Sequence, residues 1–60
     1  MNLINTLEKD ISELQTRINV LDMEMEQDDE MRTLENREKL RELTRIFFDL
    51  EGMLKDEKWQ

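Results

Sequence analysis

Apolar residues fall at Ile4, Leu7, Ile11, Leu14, Ile18, Leu21 and Met25, in steps of 3, 4, 3, 4, 3 and 4. No other feature constrains the fold of this chain as much as this unbroken heptad stripe. Helices on the surface of a large globular protein carry a looser apolar face, whereas a strict seam calls for another helix against it. The first half of the chain is therefore a packing device, and the question is what it packs on.

Sixty residues make one domain, and a chain this short buries little core without a staple or a partner. There is no cysteine and no histidine, so neither a disulfide framework nor a structural zinc is expected to supply the staple. No proline, a single glycine and 42% charged residues disfavour tight turns and favour long helices. The reading is an all-α chain that gains its core by oligomerising.

The net charge is -7, and it is unevenly placed: residues 1–30 hold two basic and nine acidic side chains, residues 31–60 seven of each. Such a surface repels phosphate backbones and anionic lipid, so direct nucleic-acid or membrane binding is not expected. With no long apolar run and no signal-like N-terminus, a cytoplasmic protein is expected.

Asn2 is the expected cap of the first helix, with Asn5 and Glu8 offering a second capping pattern. The rhythm fails over residues 26–30, which are Glu, Gln, Asp, Asp, Glu. It resumes at Met31, Leu34, Leu40, Leu43, Ile46, Phe47, Leu50, Met53 and Leu54, a wider stripe because Ile46–Phe47 and Met53–Leu54 double the seam. An antiparallel fold-back about Asp28–Asp29 would pair Leu21 with Leu34, Leu14 with Leu43, Ile11 with Ile46 and Leu7 with Leu50, whose numbers add to between 55 and 57. The basic stretch Arg32, Arg37, Lys39, Arg41 and Arg45 would then lie along the acidic first helix, a pattern that selects orientation more than it stabilises.

The expectation is a single domain over residues 1–60: helix 1 over about 2–26, a turn over about 27–29, and helix 2 over about 30–57, capped by Asp28 or Asp29. Residues 55–60 are expected to fray, and Gly52 to loosen the helix or allow a close approach. A lone hairpin leaves one side of its seam wet, so two hairpins are expected to pair into a four-helix bundle. The alternative is a long two-stranded coiled coil.

No constellation for catalysis stands out, and no cofactor is expected. The acidic cluster Glu24, Glu26, Asp28, Asp29 and Glu30 lacks the spacing of a calcium loop and reads as a cap and polar turn. Self-association is assigned to Ile4, Leu7, Ile11, Leu14, Ile18, Leu21, Leu43, Ile46, Phe47, Leu50 and Leu54. The partner surface is assigned to Glu13, Asp22, Glu24 and Glu26, engaging a basic protein surface, and to Phe48, read either as an exposed interface aromatic or as part of the dimer core. In length, acidity and presumed helix pairing the chain is similar to the RNA-binding plasmid-copy-number hairpins. The sporulation aspartyl-phosphate phosphatases are also short hairpins; where they carry Ser-Gln-Glu-Leu-Asp, this chain has Arg37-Glu38-Lys39-Leu40-Arg41.

The expected function is a non-enzymatic, protein-binding regulator or assembly module. One alternative is an acidic, nucleic-acid-mimicking inhibitor of a nucleic-acid-binding enzyme; another is a structural coiled-coil segment of a larger assembly.

Overall fold

In the computed structural model, which describes residues 2–59, the seam of the first helix is met by the second half of the same chain. Helix α1 spans Leu3–Gln27, a 3-10 turn spans Asp29–Met31, and helix α2 spans Leu34–Trp59. The two long helices lie side by side as a hairpin measuring 45 × 16 × 13 Å. No helix among the described residues is long and apolar enough to cross a membrane.

The start of α1 follows from its sequence. Asn2 stays extended and its side-chain oxygen accepts the backbone N–H groups of Ile4 at 2.7 Å and Asn5 at 3.2 Å, satisfying two donors that have no partner inside the helix. Leu7, Leu14 and Met25 are buried at 4%, 9% and 8% exposure, while Ile4, Ile11, Ile18 and Leu21 are half-buried. The heptad stripe thus faces α2 along its whole length.

The reversal is longer than expected. It occupies residues 28–33 rather than 27–29, and α2 begins at Leu34 rather than near residue 30. Asp28 does not cap α2; its side chain accepts the Glu30 N–H at 2.9 Å, an Asx-type turn that starts the 3-10 segment. The cap of α2 is Thr33, whose hydroxyl oxygen accepts the Asn36 N–H at 3.1 Å, an arrangement worth about 1 kcal/mol. Two further side chains tie the turn down. Arg32 Nε donates to the Met25 carbonyl at 3.1 Å, satisfying one of the orphan acceptors at the end of α1, and Asn36 Nδ2 donates to the Met31 carbonyl at 2.6 Å. These bonds explain how the chain reverses with neither proline nor glycine at the turn: no described residue other than glycine has a positive φ.

A longer turn shifts the register. The helix ends that face one another, Gln27 with Leu34 and Leu3 with Trp59, have numbers adding to 61 or 62. The pairing about Asp28–Asp29 is therefore displaced, by about two helical turns along the middle of the hairpin, where facing residues have numbers adding to 64 or 65. Leu14 shares a groove with Leu50, Ile11 with Leu54 and Leu21 with Leu43, where Leu43, Ile46 and Leu34 were expected. Leu34, left without a partner, is 73% exposed.

The end of α2 also departs from expectation. Residues 55–59 are helical rather than frayed, and Lys58 Nζ stands 3.8 Å from Glu8 on α1; Gln60 lies outside the described residues. Gly52 sits within α2, and a Cβ built on it would meet nothing within 4 Å, so no close approach requires a glycine there. Gly52→Ala is accordingly expected to raise stability by about 0.5 to 1 kcal/mol, measured as a higher urea midpoint with an unchanged m-value.

Candidate interaction surface

The hairpin has two flanks and an acidic tip, and they differ in chemistry. At about 100° per residue, the core face of α2 carries Leu40, Leu43, Phe47 and Leu54, all half-buried. None of the side chains of α2 is fully buried.

On one flank the apolar surface continues past the seam. Ile46 is 43% exposed and Met53 52%, and they share this side of α2 with Leu43 and Leu50. Across from them on α1, Val20 is also exposed. A shallow groove runs between the helices here, lined by Arg17, Val20, Leu21, Glu24, Lys39 and Leu43, and it continues past Glu13, Leu14 and Leu50. Burying such a patch is the usual reason a water-soluble helix pair carries one.

The opposite flank is cationic and aromatic. Arg37, Arg41, Phe48, Lys55 and Trp59 share an arc of about 40° on α2, and no carboxylate of α2 falls within it. Phe48 is 65% exposed and its ring stands edge-on to Phe47, centroids 5.8 Å apart at 71°. This places Phe48 on the side away from Ile46 and Met53, so one surface covering those two residues does not include it. Trp59, also exposed, borders a groove with Ile11, Leu54 and Lys58.

The acidic residues singled out in the sequence do not form one face. Glu13 and Glu24 border the apolar groove, whereas Asp22 and Glu26 lie about 140° to 180° round the helix from them, toward the cationic flank. What does gather is the tip. Residues 22–33 hold six carboxylates against Arg32 alone, all of them exposed, and of these carboxylates Arg32 pairs with Asp29 alone, at 3.5 Å. Among the described residues, no three acidic side chains converge to hold a metal ion.

Of the residues assigned to self-association, Leu7 and Leu14 are consumed inside the single chain, while Ile46 remains open and Leu43 and Leu50 remain half-open. Sequence reasoning placed Met53 in the doubled seam without assigning it to self-association, and did not single out Val20 as a surface apolar residue. The signal for Met53 was present: it follows Ile46 and Leu50 at heptad spacing, on the side of α2 that the first seam is too narrow to cover. Comparison of the chain with protein-family models, with curated proteins and with solved structures gave no match.

Proposed function

We propose that this chain is a cytoplasmic, non-enzymatic protein-binding regulator or assembly module that works as a self-associating helical hairpin. The observation that carries this reading is the wet apolar flank of α2, with Ile46 and Met53 about half exposed on a helix that buries no side chain of its own. Surface area supports it. The hairpin exposes 5169 Å², whereas a compact monomer of 7.4 kDa exposes about 4,200 Å² by the usual scaling. The excess, near 1,000 Å², is about what one partner contributes to a stable protein interface. A four-helix bundle made of two hairpins would remove it.

The acidic tip is the surface offered to a partner, which on this reading carries a basic patch. Charge at a rim sets association rate and partner choice more than affinity. The six carboxylates of the tip also favour the second reading, an inhibitor that imitates nucleic acid. The two part on salt and competition: a mimic binds its enzyme less tightly as salt rises and is displaced by DNA or RNA, whereas an assembly module held by apolar contact tolerates salt.

Mass determination by light scattering over a concentration series tests the core of the proposal. A particle of twice the chain mass is expected at micromolar concentration. A monomer at every concentration would overturn self-association and leave the apolar flank without a role.

A further inference from the structure

One stripe of α2 reads the same in both directions. Lys39, Leu43, Ile46, Leu50, Met53 and Glu57 follow one another in steps of 4, 3, 4, 3 and 4, and at about 100° per residue they occupy a single band on the apolar flank. Reversing the band about position 48 lays Ile46 on Leu50, Leu43 on Met53 and Lys39 on Glu57, each pair adding to 96. Four apolar side chains are thus bracketed by a cation at one end and an anion at the other. Lys39 is exposed and Glu57 half-buried, and neither is engaged in an ion pair among the described residues.

We infer that the occupant of this flank is the same flank of a second copy, with α2 packed antiparallel on α2 about a two-fold axis near residue 48. This rests on the self-association proposed above and adds its surface, direction and register. A two-fold interface must be complementary to itself, each residue meeting the partner's copy of its counterpart, and the band meets that condition in both apolar content and charge. A parallel, in-register pair does not: it sets Lys39 against Lys39 and Glu57 against Glu57. Like charges opposed at an interface disfavour that arrangement. The cationic flank with Phe48 and Trp59 then faces away from the seam and stays open.

Swapping the end charges tests this. Lys39→Glu alone and Glu57→Lys alone each oppose like charges at both ends of the antiparallel pair, and the double variant restores attraction. Sedimentation equilibrium is expected to show each single variant dimerising roughly 3- to 30-fold more weakly and the double variant returning close to the parent, with the differences shrinking in high salt. Singles that dimerise like the parent, or a double no better than its singles, would overturn the register while leaving self-association standing. A parent chain that is monomeric throughout would overturn both.

A spin label on Asp56→Cys, off the seam, gives an independent reading should a charge variant fold poorly. Antiparallel pairing holds the two labels at least about 24 Å apart. Labels about 10 Å apart, as in a parallel pair, would overturn the proposal.

Discussion

Leu14→Asp is expected to abolish the hairpin. Leu14 lies at the middle of α1 with 9% of its surface exposed, bordered by Leu50. Truncating such a leucine to alanine costs about 2 to 5 kcal/mol, and a carboxylate in its place adds the cost of burying an unpaired charge. A domain of this length holds about 3 to 9 kcal/mol in total. The loss therefore matches or exceeds the whole stability, and far-UV circular dichroism should show the helical signal collapse at room temperature. The matched control is Leu34→Asp. Leu34 is 73% exposed at the first turn of α2, where the helix dipole also favours an acidic side chain, so its replacement should move stability by less than about 0.5 kcal/mol. The contrast tests the register as well as the core. If the chain folded about Asp28–Asp29, Leu34 would cover Leu21, and the two substitutions would both be severe.

That register is where the sequence was least legible, and the reason is local. The two helices announced themselves through heptad spacing and the lack of helix breakers, and Asn2 as a cap was readable from its chemistry. The turn was hidden because it uses no glycine or proline. Asp28 and Asp29 offered themselves as caps for α2 because Met31 looked like the resumption of the seam. In the structure Asp28 is used in an Asx turn, and Thr33 caps the helix. Thr33 followed by acidic Glu35 and by Asn36 was the available signal, outweighed by the earlier and more acidic pair. With α2 starting four residues late, the facing positions moved by about two turns, Leu14 from Leu43 to Leu50 and Ile11 from Ile46 to Leu54. The four acidic residues assigned to a partner do not share one face, for a related reason. Glu13, Asp22, Glu24 and Glu26 belong to one charged helix in sequence, but a helix distributes such residues around its axis, and only the tip gathers them.

The wide stripe of α2 was legible, and its width leads to the second large effect. Ile46→Asp together with Met53→Asp is expected to monomerise the protein. Both side chains are about half exposed in the hairpin, so the single chain loses little by the change. In a dimer built on this flank, the same change puts four carboxylates into one dry seam. At several kcal/mol for each charge buried without a partner, dimerisation should weaken at least about 1,000-fold. Thermal unfolding gives the sharper readout. Folding linked to dimerisation makes the midpoint climb with protein concentration, and the parent is expected to show this climb. The variant should unfold at a midpoint that is lower and independent of concentration, since among the described residues only Leu7, Leu14 and Met25 are buried within one chain and a 60-residue fold has little core to spare. A variant that kept the parent's mass and its concentration-dependent midpoint would remove Ile46 and Met53 from any interface. Self-association would then have to run through the flank that carries Phe48 and Trp59, where arginines and aromatics are the side chains that most often anchor a partner.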